Sequence, residues 1–187
     1  AVLERYELDA PATVVDRLER GAAGEITETP AIDDPAFERV STQIVADGMT
    51  ALEAARDVAA ARGYEPLVLS SRIRGEAREV ATVQMGIAEE VRATGSPVSP
   101  PAVLLSGGET TVTIRGDGAG GPNQEFAMSA ALALANERET ENSDGVGSDI
   151  TVAAVDTDGI DGVTDAAGAL VDGTTVKDLD SARDALA

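Results

Sequence analysis

The alternation of short apolar runs with alanine-rich stretches most limits the fold of this chain. Runs such as 66–70 and 102–106 are separated by longer stretches rich in alanine, for example 49–63 and 75–95. Apolar runs of about five residues suit strands, whereas long stretches with helical periodicity suit helices. The alternation therefore predicts an α/β protein.

The same patterns predict the remaining elements and a boundary. The segment 96–101 is the most linker-like in the chain, because Pro and Ser dominate it. We therefore expect two domains, 1–97 and 98–187. The other predicted elements are a helix at 11–20, a strand at 37–46, a strand at 110–115 that forms a hairpin with 102–106, a helix at 122–136, a polar loop at 137–149 and a strand at 150–156.

The charge balance favours a salt-adapted surface. The chain carries 34 acidic and 14 basic residues, which gives a formal net charge of −20. Carboxylates of one sign repel at low salt and are screened at high salt, so the excess predicts a halophilic host. Nucleic acid is not an expected partner, because phosphate binding needs clustered Lys and Arg.

Missing residue types exclude several chemistries from this chain. It has no Cys and no His, so thiol nucleophiles, disulfides, imidazole metal ligands and Ser-His-Asp triads are excluded. The longest mostly apolar run, 126–135, is shorter than the ~20 residues of a membrane helix. We predict a cytoplasmic protein with no membrane partner. Both chain ends lie within helix-like patterns, so we expect a fragment of a longer chain.

A glycine-rich stretch at 113–126 reads TIRGDGAGGPNQEF, in which Gly116, Gly118 and Gly121 spell G-x-G-x-x-G. A dinucleotide site needs a buried parallel strand before the loop and an acidic residue about 20 positions later. The preceding segment alternates as a hairpin strand does, and the next strand ends at Asp156, about 35 residues beyond Gly121. A nicotinamide site is therefore a weak interpretation.

The stretch also suits an anion cradle. Glycines allow close approach of the backbone, and Pro122 suits the first position of a helix whose free amides attract anions. A flexible hairpin-to-helix connection, in which glycine only supplies permissive dihedrals, is the alternative. The residues expected at the cradle are Gly118, Gly120, Gly121, Asn123, Gln124 and Glu125.

Two further segments carry candidate residues. Ser106, Gly107 and Gly108 predict a tight turn at a strand end, with Glu109 directed into the same region. An ordinary β-turn with an exposed acid is the alternative.

The segment 153–168 places four aspartates between a buried strand and a predicted helix. Such a cluster suits Mg²⁺ when nucleotide phosphates supply further ligands, although in so acidic a chain most Asp residues serve solvation. The four residues are Asp156, Asp158, Asp161 and Asp165.

These motifs together resemble a known family. Residues 104–126 and 156–175 resemble the C-terminal MOFRL domain of the type-2 glycerate kinases, many of which are labelled hydroxypyruvate reductase. Residues 63–81 resemble the end of the larger Rossmann-like domain of that family. The resemblance implies that 1–97 is the C-terminal part of the Rossmann-like domain. It implies that 98–187 is a smaller α/β MOFRL-type domain with a mixed sheet, incomplete at its C-terminus.

The resemblance implies transfer of the γ-phosphoryl group of ATP to the 2-hydroxyl of D-glycerate, with Mg²⁺, in a cleft between two domains. Phosphoryl transfer depends on positioning and charge neutralisation and needs neither His nor Cys. Glu76 and Arg78 match a family segment without an assigned role. The implied catalytic residues are Glu109, Asn123 and Glu125; the implied substrate and nucleotide contacts are Ser106, Gly107, Gly108, Gly118, Gly120, Gly121, Gln124, Asp158 and Gly159; the implied metal ligands are Asp156 and Asp161.

The sequence departs from the family pattern at three places. Many relatives have Arg at the position of Pro122, and a GSN-like turn where this chain has ADG at 46–48. A lysine expected near the transferred phosphate lies before Ala1, so we expect these 187 residues alone to be inactive. The alternatives are an NAD(P)H-dependent hydroxypyruvate reductase and a non-catalytic module that assembles through its alanine-rich helices; a homodimer is also expected.

Overall fold

The computed structural model describes residues 2–140, 149–184 and 186. The chain divides into two compact units, Ala1–Val45 and Ala46–Ala187. The first unit contains helix α1 (Val2–Arg5), helix α2 (Ala12–Ala22) and a 3-10 helix (Pro35–Phe37). None of the described residues up to Val45 is buried.

The strand predicted at 37–46 is wrong. Asp34 begins the 3-10 helix by accepting a hydrogen bond from the Ala36 amide at 2.8 Å. The chain beyond it has no strand partner among the described residues, and Ile44 and Val45 are 82% and 87% exposed. Without a neighbouring strand, the backbone N–H and C=O groups of an apolar segment cannot form the hydrogen bonds of a β-sheet.

The second unit has the predicted α/β composition. Its helices and strands alternate over most of its length. The strands form one parallel pair and one antiparallel pair. The elements are α3 (Gly48–Ala61), β1 (Glu65–Glu76), α4 (Ala77–Thr94), β2 (Ala102–Thr111), α5 (Pro122–Thr140), β3 (Thr151–Val155), β4 (Gly168–Asp172) and α6 (Leu179–Asp184).

The helix ends of this unit follow local sequence signals. Asp47 precedes α3 and accepts a hydrogen bond from the Thr50 amide at 2.9 Å, completing a capping box. Gly95 ends α4 in the left-handed conformation, with φ of 73°. The predicted helices at 49–63 and 75–95 are thereby confirmed.

The predicted hairpin between 102–106 and 110–115 is wrong. Residues Ala102–Thr111 form one continuous strand, β2, which pairs parallel to β1. Helix α4 supplies the crossover that parallel strands require, so no tight turn is needed at Gly107. The register shifts near Ser70 and again before Ile73, where β1 carries extra residues opposite the glycines of β2.

The second strand pair is antiparallel, and a loop joins its two strands. Strand β3 pairs with β4, with Thr151 opposite Asp172. The intervening segment contains Gly159 and Gly162 with φ of 90° and 64°, values that a right-handed helix does not accommodate. This segment is the glycine-rich loop that the sequence predicts after the strand at 150–156, and both are confirmed. The helix predicted beyond the four aspartates is wrong, because Gly168–Asp172 forms β4.

Helix α5 lies at the centre of the core of the second unit. Ala127, Ala130 and Leu134 on this helix are wholly buried, and they cluster with Met85 of α4 and Val152 of β3. Small side chains let neighbouring elements approach closely and fill the interior. Packing on both sides consequently fixes the position of α5 and of its first turn.

The predicted boundary at 96–101 separates β1 from β2, which pair with each other. The predicted domains 1–97 and 98–187 concern the organisation of a longer family member and stay a prediction. Helix α5 extends to Thr140, and most of the predicted polar loop lies outside the described residues. Among the helices that the structure describes, none combines the length and the apolar character needed to cross a membrane.

Candidate functional site

The glycine loop, residues 112–121, connects β2 to α5. All of it except Val112 and Gly121 is exposed. A Cβ atom added at Gly116, Gly118 or Gly120 would meet no atom within 4 Å. The backbone of this part of the loop is therefore accessible to a ligand.

Glu76, the last residue of β1, anchors the beginning of the glycine loop. Its carboxylate accepts hydrogen bonds from the Thr113 amide at 3.1 Å and the Thr113 hydroxyl at 3.0 Å. The Thr111 hydroxyl donates to the same carboxylate at 3.4 Å. The role left open for Glu76 is thus structural: it ties β1 to the segment that leaves β2.

Asp161 anchors the other end of the glycine loop. One carboxylate oxygen, Oδ1, accepts from the Asn123 amide at 3.0 Å, and Oδ2 accepts from the Gln124 amide at 2.8 Å. The side-chain amides of Asn123 and Gln124 donate to the same oxygens at 3.2 and 3.0 Å. The predicted anion cradle at the start of α5 therefore holds a carboxylate of the chain itself.

Two glycines permit this close approach. A Cβ on Gly121 would lie 2.5 Å from the carboxyl carbon of Asp161, and one on Gly162 would overlap the carbonyl oxygen of Gly120. Gln124 adds a hydrogen bond from Nε2 to the Thr164 hydroxyl at 2.8 Å. Gly121 consequently has a packing role, unlike the three accessible glycines that precede it.

Asp161 stays ionised in this environment. Burial by itself raises the pKa of its carboxyl, but the hydrogen bonds from Asn123 and Gln124 outweigh burial and hold the pKa below its ordinary value. The charge faces the N-terminus of α5, where the helix dipole favours an anion.

Glu125, predicted as catalytic, forms an ion pair with Arg78. The Arg78 Nε and the Glu125 Oε1 lie 2.9 Å apart, and the side chains are only 21% and 16% exposed. Ser129 also donates from its hydroxyl to the Arg78 carbonyl oxygen at 3.3 Å. These contacts join the first turn of α4 to the first turns of α5.

The predicted turn at Ser106, Gly107 and Gly108 is wrong, because these residues lie within β2. Gly108 has φ of 156°, and a Cβ there would overlap the backbone nitrogen and oxygen of Ile73. The Ser106 hydroxyl donates to Gln84 Oε1 at 3.0 Å. The glycines thus accommodate the irregular register between the strands.

Glu109 and three arginines lie near the C-terminal ends of the two parallel strands. Glu109 is exposed and pairs in register with Arg74 of β1. Arg74 and Arg115 are exposed and form no ion pair among the described residues. Arg72 lies close enough to Asp47 to help lower the pKa of that carboxyl, after the larger effect of hydrogen bonds from Thr50.

Asp156 and Asp158 lie in the turn that follows β3. The Asp158 amide donates to Asp156 Oδ1 at 3.4 Å, and the Ile160 amide donates to Asp158 Oδ1 at 2.9 Å. Within residues 2–140, 149–184 and 186, no three acidic side chains are grouped as a metal site would require. Both oxygens of Asp161 face N–H donors, so Asp161 does not fit the predicted role of metal ligand; the role of Asp156 stays a prediction.

The structure brings some predicted residues together and leaves others apart. Gly121, Asn123, Gln124 and Asp161 form one hydrogen-bonded network. In the described part of the chain, the hydrogen bonds of Asp156 and Asp158 stay within their own loop and the residues next to β4. Sequence reasoning missed the contributions of Thr113, Gln84 and Thr164, because no local pattern marks partners about 20 to 40 residues apart.

One of the two arguments against a dinucleotide-binding site was wrong. Strand β2 before the loop is parallel to its neighbour, as a dinucleotide fold requires. The second argument remains, because the next strand, β3, ends at Val155. This lies much farther from the glycine motif than the expected spacing of about 20 residues.

The chain is similar to several known proteins. The sequence model of the MOFRL family matches residues 102–187. A glycerate 2-kinase of Pyrococcus horikoshii is 38% identical over 181 residues, which cover 95% of this chain and 38% of that protein. A protein of Agrobacterium vitis with a provisional hydroxypyruvate reductase name is 43% identical over 173 residues, covering 91% of this chain and 35% of that protein.

A solved structure shares the fold. The crystal structure of glycerate kinase from Thermotoga maritima matches with a TM-score of 0.69 and 32% identity, covering 96% of this chain and 38% of that one. The chain thus spans under two fifths of the length of each of these relatives.

Proposed function

We propose that this chain, whose residues 102–187 match the MOFRL family, forms part of a D-glycerate 2-kinase and presents its glycine loop to the phosphates of ATP. The γ-phosphoryl group would pass to the 2-hydroxyl of D-glycerate, giving 2-phosphoglycerate and ADP. The names of two relatives, a glycerate 2-kinase and a glycerate kinase, support this reaction.

The observation that carries the proposal is the construction of the glycine loop. Both of its ends are anchored by carboxylates, Glu76 and Asp161, whereas Gly116, Gly118 and Gly120 between them face open space. Such a loop offers backbone N–H groups that phosphate oxygens can approach without steric hindrance. A loop that merely connected two elements would not need three unobstructed glycines between two fixed ends.

Positive charge near the loop supports the same function. A chain with a net charge of −20 repels nucleotides unless cations offset that field locally. Arg74 and Arg115 are exposed and, among the described residues, without ion-pair partners. We assign them to the phosphates, where guanidinium groups form strong charge-assisted hydrogen bonds.

The chemical step needs little from the protein besides placement. Phosphoryl transfer is catalysed mainly by positioning and by neutralising developing charge. Glu109 is exposed beside the same strand ends, and we propose that its carboxylate accepts the proton of the 2-hydroxyl as the phosphoryl group is transferred and ADP leaves.

The metal, the location and the other contacts to substrate and nucleotide are part of the same proposal. Magnesium would arrive with the nucleotide and offset phosphate charge, and no step here depends on a ligand from Asp161. Use of ATP favours a cytoplasmic location, and the excess of carboxylates favours a salt-rich cytoplasm. The proposed substrate and nucleotide contacts besides the loop are Ser106, Gly107, Gly108, Asp158 and Gly159.

A coupled assay of the complete gene product tests this function. It contains ATP, Mg²⁺ and D-glycerate in multimolar KCl, reports ADP, and identifies the phosphoglycerate formed. We expect 2-phosphoglycerate with ADP in equal amounts. Absence of glycerate-dependent ADP would contradict the proposal, and activity of the 187 residues alone would contradict the expectation that they are inactive.

The reductase alternative has one observation in its favour besides a relative's name. The strand before the G-x-G-x-x-G motif is parallel, which suits a dinucleotide fold. The same preparation is therefore given NADH and hydroxypyruvate; we expect no consumption of NADH. If NADH is consumed and no ADP forms with glycerate, the reductase is the correct function.

A further inference from the structure

Asp161 differs in its surroundings from most of the acidic residues of this chain. The chain has 34 acidic residues, and Asp161 is the charged residue that is fully buried among those described. A buried carboxylate is tolerated only when hydrogen bonds replace its water. Four N–H groups from Asn123 and Gln124 do so here, at 2.8 to 3.2 Å.

These hydrogen bonds leave no vacant amide in the first turn of α5. Pro122 has no N–H, the amides of Asn123 and Gln124 donate to Asp161, and the Glu125 amide donates to the Gly121 carbonyl oxygen at 3.0 Å. A helix start of this kind commonly binds an external phosphate. Here the chain's own carboxylate occupies that position.

The loop that carries Asp161 is itself held at several points. The Asp161 amide donates to the Ala166 carbonyl oxygen at 2.7 Å, and the Thr164 hydroxyl bridges the Asp161 carbonyl oxygen and Gln124. Strands β3 and β4, which flank this loop, pack against α5 in the core. The carboxylate is therefore fixed to the same rigid body as the helix.

We propose that Asp161 is a positioning residue that replaces an external anion at the start of α5 and holds the end of the glycine loop in its ligand-binding shape. Phosphate contacts then fall to the backbone at 116–120 and to the arginines, not to α5. This inference rests on the proposed function. Loss of the carboxylate alone would weaken nucleotide binding although Asp161 does not touch the nucleotide.

The experiment compares Asp161→Ala and Asp161→Asn with Asp184→Asn in the complete gene product. Asp184 is an exposed aspartate that ends α6 and belongs to no part of the proposed site. Three quantities are measured at constant ionic strength: hydrogen exchange of the amides at 116–125, KM for ATP with kcat, and the melting temperature with and without sodium formate.

We expect Asp161→Ala to accelerate exchange at Asn123 and Gln124 and to raise KM for ATP by about tenfold or more, since small displacements of binding groups have effects up to about 10²-fold. Formate, a small carboxylate, should raise the melting temperature of this variant more than that of the wild type. Asp161→Asn should be intermediate, because it keeps the volume and one acceptor. Asp184→Asn should match the wild type.

Two outcomes overturn the inference. In one, the Asp161 variants fold and keep wild-type KM and wild-type exchange at Asn123 and Gln124. In the other, they lose stability with unchanged KM and without a selective response to formate, which would leave a purely structural role. If Asp161→Ala does not fold, Asp161→Asn decides by the same criteria.

Failure of the proposed function is recognised separately. It would appear as a wild-type gene product with no glycerate-dependent ADP formation. The exchange and formate measurements do not need activity, so they still show whether Asp161 fixes the start of α5.

Discussion

Two glycine-containing segments of this chain look alike in sequence and differ in structure. In β2, Gly107 and Gly108 lie under the side chain of Leu52 and against the backbone of Ile73. In the glycine loop, a Cβ added at Gly116 or Gly118 would meet no atom within 4 Å. The first pair lies within packed structure, where Gly108 leaves no room for a side chain, whereas the second pair leaves the backbone accessible to a ligand.

The largest effect on stability should come from Gly108→Ala. Its φ of 156° disfavours any side chain, and the new Cβ would overlap the backbone of Ile73, which cannot move aside without breaking the strand pair. We expect a loss of about 3 kcal/mol or more in urea unfolding. Gly107→Ala is the matched control: its Cβ would lie 3.6 Å from Leu52, an ordinary contact, and should cost less than about 1 kcal/mol. Equal effects would contradict the distinction between the two glycines.

Gly121→Ala should come next. The new Cβ would lie 2.5 Å from the Asp161 carboxyl carbon and from the Gly162 amide nitrogen, so the two loops would separate. Loss of this packing and of hydrogen bonds to a charged group should lower the free energy of unfolding by about 2–3 kcal/mol. Chemical unfolding measures the change. A variant as stable as wild type would show that Gly121 belongs with the accessible glycines.

The partly buried ion pair between Arg78 and Glu125 should have a smaller effect. The variants Arg78→Gln and Glu125→Gln should each cost about 1–2 kcal/mol, and a double-mutant cycle should give a coupling of about 1 kcal/mol. Zero coupling would contradict the pairing. Glu125→Gln also tests the predicted catalytic role, since a loss of kcat well beyond that of Arg78→Gln would indicate chemistry in addition to anchoring.

The decrease in the free energy of unfolding at acidic pH should depend on Asp161. Its pKa is lower in the folded chain than in the unfolded chain, so it contributes stability above the unfolded value of about 3.9 that is lost as pH falls through the folded pKa. We expect Asp161→Asn to be less stable than wild type at pH 7, with a difference that shrinks below about pH 4. Urea unfolding from pH 7 to pH 2 measures it. A difference that stays constant with pH would contradict a charge effect.

The smallest effect on stability should follow Gly118→Ala. Its φ lies outside the left-handed region and its Cβ position is open, so the change should be neutral or stabilise by about 0.4–1 kcal/mol through the unfolded state. If the loop approaches phosphate, KM for ATP should nevertheless rise. Gly86→Ala is the control, because Gly86 is an exposed helical glycine whose Cβ position is equally open. This variant should change stability alone and leave KM for ATP unchanged. Unchanged KM in both variants would favour a loop that only connects.

The local features of the fold were predictable because their signals are local. The Asp47 cap precedes its helix directly, and Gly95 ends α4 where the sequence indicated. The predictions that were wrong depended on pairing. The segment 37–46 has the composition of a strand but no partner among the described residues, and β2 is one strand because α4 brings it alongside β1.

The candidate site was predictable as a set of segments but not as a set of contacts. The glycine loop, Asp161 and the start of α5 were all identified, but the start of α5 was assigned to an external phosphate and Asp161 to a metal. Asp161 is 38 positions from Asn123, and nothing in its neighbours indicates that its carboxylate would face that amide. The sequence indicated the anion-binding character of the helix start, and the structure identified the anion.

By itself, the sequence determined the α/β class, the likeness of residues 102–187 to the MOFRL family and the exclusion of His and Cys chemistry from this chain, because these follow from composition, periodicity and motifs. Only the tertiary structure decided, for the described residues, which glycines are confined, which carboxylate is buried and which arginines form no ion pair. The physical reason is that confinement, burial and charge pairing depend on atoms brought together from distant parts of the chain by packing of the whole second unit. Gly108 and Gly118 are the same residue type, and they differ in backbone conformation and in the atoms around them.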